Sequence, residues 1–186
     1  MNHPTNESSP INFVLDEIRG CLNAGFHYAP VSLALSLPDI CSALENEAGQ
    51  GRFGDVGKRY KLWCKTYAEQ KFRSVKAEDL WCLRGSVHHN AMLSEHPSNV
   101  RGRLLLMPGN TQQAVPNELV VEKCGTPPQD GLQISIPYFC DRMIDAAADW
   151  WGKKRDDPTV VKNLPNLVQY RPNGLAPFML GMPVLA

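Results

Sequence analysis

AEDLWCLRGSVHHNAM, residues 77–92, decides how this chain is read, because one short stretch carries an apolar stripe, a cation and two imidazoles. Wound at ~100° per residue, Leu80, Leu83, Val87 and Ala91 share a face, which marks a helix with that face on a core. Ser74 is a candidate cap, and Glu78 and Asp79 in the first turn complement the helix dipole. On the same geometry Arg84 and His88 sit side by side at the edge of the apolar face, while His89 projects nearly opposite the core. Arginine stays protonated and histidine titrates near neutrality, so the pair suits phosphodiester cleavage. The imidazole would move a proton while the guanidinium stabilises charge on the phosphoryl oxygens. The same residue types also make an ordinary solvated helix edge.

Upstream, the pattern is helical throughout. Residues 1–9 read as a disordered leader, and Pro10 opens a helix to about Ala24, with Val14, Ile18, Cys21 and Leu22 at helical spacing and Gly25 as its stop. A second helix, about Ala29–Asn46, places Leu33, Leu37, Ile40, Cys41 and Leu44 on one stripe, with Pro38 expected to kink or split it. Residues 47–57 (EAGQGRFGDVG) form a glycine-rich linker. They follow no strand and lack a terminal Gly-Lys-Ser/Thr, which argues against a phosphate-binding loop. A third helix spans about Lys58–Phe72, and its lysines and arginines alternate with Tyr60, Trp63, Tyr67 and Phe72. That alternation fits a solvated basic face with aromatics turned inward; its other reading is an RNA-contacting surface.

Downstream, the pattern changes. GRLLLM (102–107), ELVVEK (118–123) and LQISI (132–136) are β-rich runs separated by proline, glycine and asparagine, and predict a small antiparallel hairpin or three-stranded sheet. A fifth helix starts at Pro137 and runs to about Lys153, on a stripe of Phe139, Cys140, Met143, Ile144, Ala147 and Trp150 or Trp151. The organisation is therefore a mainly α domain over 10–153 with a β insertion at about 101–136, followed by a proline-rich extension over 154–186 that wraps the surface or packs on a partner chain.

Composition bounds the function. With 19 basic and 19 acidic residues the net charge is zero, so no global basic excess points to nucleic acid. Six cysteines at wide spacing, without a Cys-x-x-Cys pair, give neither a zinc ribbon nor a disulfide framework, and point to a reducing, cytoplasmic setting. No His, Cys and carboxylate cluster has metal-ligand spacing, and no cofactor is implied. No signal peptide is evident, and no apolar run approaches the ~20 residues that span a bilayer.

The string Arg84-Gly-Ser-Val-His-His89 resembles the arginine–four residues–histidine motif of the HEPN superfamily. LSLPDICSALE (35–45), KRYKLWCKTYAEQKF (58–72), EDLWCLRGSVHHNAM (78–92) and IPYFCDRMIDAAADWW (136–151) look like small HEPN-like proteins of plasmids and mobile elements, so the resemblance covers about Ile11 to Trp151. It implies an α-helical bundle that dimerises, with motif helices of two chains meeting in a composite cleft. It also implies a metal-independent endoribonuclease of toxin–antitoxin or phage-defence type. On that pattern Arg84 orients and neutralises the scissile phosphate, and His89 assists attack by the ribose 2′-hydroxyl to leave a cyclic phosphate. Ser86 and Asn90 would add hydrogen bonds, and Asp39 and Glu45 are candidates for orienting Arg84 or His89, their other reading being exposed carboxylates or structural ion pairs. Residue 85 is glycine where active members often carry a polar side chain, and simple helical spacing favours His88 over His89 as the neighbour of Arg84. A two-fold axis would let the outward-facing His89 meet its counterpart.

Three classes of function follow: a ribonuclease, a non-catalytic module binding RNA, a nucleotide or a protein such as an antitoxin, and a structural helical dimer whose Arg–His pair only joins helices.

Overall fold

The computed structural model describes residues 11–46, 55–90, 103–109, 116–126 and 129–186. The expected leader, most of the glycine-rich linker and the end of the motif helix beyond Asn90 lie outside them.

Helix α1 (Asn12–Asn23) and helix α2 (Tyr28–Leu44) pack against each other, with Val14, Leu15 and Ile18 buried on the first and Val31, Ala34, Leu35, Leu37 and Cys41 on the second. Gly25 at φ +76° closes the turn between them. The expectation that Pro38 splits the second helix is not met, because α2 continues through it. Pro38 can offer no N–H to the carbonyl of Ala34, but both residues are buried and the packing of that face outweighs the lost bond.

Helix α3 (Val56–Trp63) continues as a π-helical turn, Cys64–Ala68, and a 3₁₀ turn, Glu69–Lys71. Tyr60, Trp63, Tyr67 and Phe72 are all buried. Its cations are largely neutralised: Lys58 by Asp55, Lys65 by Glu78, Lys71 by Asp149, and Lys76 just beyond by Glu69. Of the two readings of this basic stretch, the solvated face with inward aromatics is the one the geometry matches.

Helix α4 (Ala77–Gly85) ends in a second π-helical turn, Ser86–Asn90. Its cap differs from the expected Ser74: the helix starts after Lys76, whose N–H donates to the Asp79 carboxylate at 2.9 Å. Ser74 instead donates its own N–H to Glu118 at 2.8 Å, which ties the helix entry to the sheet.

Strands β1 (Arg103–Met107), β2 (Glu118–Cys124) and β3 (Gln129–Ser135) form one sheet in the order β1-β3-β2. The antiparallel expectation needs correction: β2 and β3 are antiparallel, but β1 runs parallel to β3, Leu104 opposite Leu132 and Leu106 opposite Ile134. The sheet is laid on the helices through Leu104, Leu132 and Ile134, and β3 leads directly into helix α5 (Ile136–Lys154). Phe139, Cys140, Met143, Ile144, Ala147 and Trp150 of α5 are buried. Each large apolar side chain among them contributes about 1.5–3 kcal/mol. The helix closes the core against α2.

The remaining segment folds rather than trails. Helix α6 (Pro158–Asn163) is capped by Asp157, which accepts from Thr159 N–H at 2.9 Å. Asn163, buried, donates to the carbonyls of Leu44 and Asn46 and so pins α6 to the end of α2. Two short antiparallel ladders follow, β4 (Tyr170–Arg171) with β7 (Val184–Leu185), and β5 (Gly174–Leu175) with β6 (Met179–Leu180). The molecule is mainly α, and among the described residues no helix is long and apolar enough to cross a membrane.

Candidate functional site

The site forms where α2 faces the last turns of α4. Arg84 reaches across to α2, and its Nε donates to Asp39 Oδ2 at 2.9 Å. Its guanidinium lies over the Trp81 ring, 5.3 Å from the centroid. Trp81 is itself held in a tilted stack with Tyr60 at 5.3 Å, and it approaches α3 where residue 57 has no side chain; a Cβ there would stand 3.0 Å from the indole. Tyr60, fully buried, donates its hydroxyl to the carbonyl of Leu35 at 3.1 Å, with that of Leu80 at 3.5 Å. Burial pushes the Tyr60 phenol well above its ordinary pKa, with the Cys64 and Asp39 charges acting in the same direction, so it stays a neutral donor. Arg84 is thus gripped at one edge and one face, with its NH1 side left for other partners.

That side meets His89. Arg84 NH1 lies 3.3 Å from His89 Nε2, a spacing of five residues. In an α-helix residue 89 would stand well round the axis from residue 84. The π turn at Ser86–Asn90 closes i→i+5 hydrogen bonds and brings the fifth residue over the first. This eases the conflict between motif spacing and α-helical geometry: His89 reaches the guanidinium edge while remaining exposed, and His88, also exposed, stays close enough for the Arg84 charge to act on it. Guanidinium N–H groups only donate, so in this contact His89 Nε2 can serve only as the acceptor.

Tyr28, at the start of α2, donates its hydroxyl to the Val87 carbonyl at 2.8 Å, supplying a partner to a backbone group inside the π turn. Sequence reasoning missed both Tyr28 and Trp81. The only signal in the sequence for Trp81 is its position three residues before Arg84, on a neighbouring part of the helix surface.

The other expected residues divide. Asp39 is brought to Arg84. Glu45 is not: it accepts from Trp150 Nε1 at 2.7 Å and pairs with Lys154 at 2.9 Å, which corrects its assignment to the site. The reason is helical phase, since at ~100° per residue six positions place it on a different face of α2 from Asp39. Ser86 is buried beneath the outer face of the turn. The side chain of Asn90 lies outside the described residues. His88 is exposed at the rim; what desolvation it has, together with the Arg84 charge, lowers its pKa below the usual imidazole value, against a backbone contact to Ser32 and the charge of Asp39.

Two surface hollows are lined by neither Arg84 nor His89. One, of about 460 Å³, borders α1 and Tyr170; the other, of about 380 Å³, lies between α2, α3 and Lys154. Among the described residues, no three His, Cys, Asp or Glu side chains gather closely enough to hold a metal ion. No protein-family model, curated protein or solved structure matches the chain.

Proposed function

We propose that this chain is a HEPN-like, metal-independent endoribonuclease of toxin–antitoxin or phage-defence type, working as a homodimer in the cytoplasm with Arg84 and His89 as its catalytic residues. The observation that carries the reading is the 3.3 Å approach of Arg84 NH1 to His89 Nε2 across the π turn. It joins a permanent cation to an imidazole nitrogen at the spacing of the family motif. A substrate phosphate competes for the free edge of Arg84 and releases the Nε2 lone pair of His89. His89 then takes the proton of a ribose 2′-hydroxyl while O2′ attacks phosphorus. The P–O2′ bond forms and the P–O5′ bond breaks. The 5′-oxygen leaves as a hydroxyl by taking a proton from solvent water, His89 returns the proton it accepted to solvent, and the product is a 2′,3′-cyclic phosphate. Arg84, pre-oriented by Asp39 and Trp81, meets the charge growing on the non-bridging oxygens.

A second reading is a non-catalytic module binding RNA, a nucleotide or a protein partner such as an antitoxin. It is favoured by the neutralisation of the basic helix by acidic neighbours and by the part of Arg84 already spent on Asp39. Incubation with mixed single-stranded and structured RNA in EDTA decides between them. Cleavage ending in cyclic phosphate, reduced about 10²-fold or more by Arg84→Ala and by His89→Ala, supports the nuclease. Cleavage unchanged in both variants, or none from the intact protein, leaves the module.

A further inference from the structure

The segment after α6 inverts the usual order of a surface ladder. In the β4–β7 pair, Tyr170 is the register partner of Leu185 and Arg171 that of Val184. Tyr170 and Leu185 share the outward face, and both are more than 60% exposed, whereas Arg171 and Val184 are half-buried. An ordinary exposed ladder turns its polar residues to water and its apolar ones inward. The β5–β6 pair repeats the anomaly. Leu180 stands opposite Gly174, which has no side chain to cover it and, at φ +86° with the Met179 carbonyl where a Cβ would lie, accepts none. Phe178, Met179 and Met182 complete the patch.

Exposure of these six side chains runs from 42% at Met179 to 84% at Phe178. At the 150–250 Å² typical of large side chains, that leaves on the order of 700 Å² of apolar surface in water. Solitary domains seldom leave this much apolar side chain, all from one short segment, uncovered.

We propose that this arm, residues 168–186, is a self-association surface covered by the arm of a second copy of the chain. The exposed area is close to the ~800 Å² per partner of a standard specific interface. Between residues 164 and 186 the only charged side chain is Arg171, so two identical arms face each other without like-charge repulsion, and nothing on the patch would select a charged partner. The composition is that of a homodimer interface core, rich in aromatic residues, methionine and leucine. Tyr170 also borders a hollow lined by Phe13, Cys21 and Phe26 together with the acidic Asp16 and Glu17, so the charge-free surface ends at that edge. Two-stranded ladders are marginal alone, and a second arm supplies the missing layer. This inference rests on the homodimer of the proposed function and names where its two copies meet.

Sedimentation velocity of the full chain over a concentration series tests it, beside Phe178→Glu and Leu185→Glu, with circular dichroism as the folding control. Both positions are exposed in the single chain, so both variants keep the fold. A wild-type dimer weakened about tenfold or more by each substitution is the expected result. A wild-type monomer at all concentrations overturns the proposal, as does a dimer indifferent to both substitutions. Co-flotation of a wild-type monomer with anionic phospholipid vesicles would overturn it too, by assigning the patch to a membrane surface. A dimer indifferent to both substitutions overturns the arm as the interface and leaves the nuclease reading standing, whereas a monomer at all concentrations overturns the arm together with the homodimer of that reading; RNA cleavage, read separately, tests the Arg84–His89 chemistry.

Discussion

The π turns at Cys64–Ala68 and at Ser86–Asn90 share a backbone geometry and differ in what surrounds them. In the first, Cys64, Tyr67 and Ala68 are buried, and the widened turn serves packing: Tyr67 lies 5.4 Å from Trp63 between ring centroids. Burial first, then the charges of Asp39, Glu69 and Glu78, push the Cys64 thiol well above its ordinary pKa, so the one nucleophilic group there is chemically silent. In the second, the inner residues Ser86 and Val87 are buried while His88 and His89 reach solvent. The same insertion that settles a core register in one helix places an imidazole on a guanidinium in the other. A π turn is therefore not a site by itself. It becomes one where its outer face carries groups that can trade protons and charge.

The largest effect that tests this contrast belongs to the buried turn. Trp63→Ala should cost about 3–5 kcal/mol in urea unfolding, as for other buried aromatics. Because Trp63 supports no group of the Arg84 cluster directly, the imidazole NMR signals of His89 should stay where they are in the folded fraction. Signals that move with Trp63→Ala would show that the two turns are one coupled unit and would remove the contrast.

A smaller loss, about 1–3 kcal/mol, is expected from Asp39→Ala, which deprives a half-buried guanidinium of the carboxylate that accepts from it at 2.9 Å. Here the readout reverses: stability changes modestly, but the His89 signals shift because Arg84 NH1 is no longer fixed in place. An unshifted His89 would mean that the π turn alone positions the pair and that Asp39 serves only the helix interface.

How far the sequence anticipates these features differs by element. Val14 and Ile18 of α1, and the Phe139-to-Trp150 stripe of α5, are legible because a single 3.6-residue period fits each helix end to end. Neither π turn is legible, since its signal is a phase slip that arises from tertiary packing and not from any residue preference. Reading α4 as uniformly α-helical therefore put Arg84 beside His88, and only the motif spacing pointed to His89. Asp39 and Glu45 looked equivalent as carboxylates of one helix; Trp150 and Lys154, more than 100 residues away, decide where Glu45 goes. The β-rich runs were readable as strands, but the parallel pairing of Arg103–Met107 with Gly131–Ser135 is a non-local choice that alternation along a strand does not encode.

Gly85 sharpens the comparison from the backbone side. It is the last α-helical residue before the exposed π turn, and a Cβ added there meets nothing within 4 Å. Gly85→Ala should stabilise the protein by about 1 kcal/mol through helix propensity alone. If the α-to-π transition needs the glycine, the gain will be absent and the His89 signals will move. A full gain with unchanged signals assigns the π turn to its side-chain anchors, Tyr28 on Val87 and Asp39 on Arg84.

The smallest effect expected is a pH dependence at His88, and its sign is fixed by the direction of the shift. Desolvation first, then the Arg84 charge and a lesser push from His89, lower the folded-state pKa below the usual imidazole value, while Asp39 and the Ser32 backbone oppose them. The folded state thus binds the proton less readily than the unfolded chain does. The corresponding stability is present above the ordinary imidazole range and is lost as pH falls through the depressed folded value. Comparing urea midpoints of wild type and His88→Gln from pH 7.5 down to about pH 5 isolates this from the carboxylates, which titrate in both proteins. Wild type should lose more stability over that window than the variant, by a modest amount because His88 is exposed. A variant that loses more than wild type would mean that His88 gains a proton on folding, and with it that the rim of the exposed π turn is governed by Asp39 and not by Arg84.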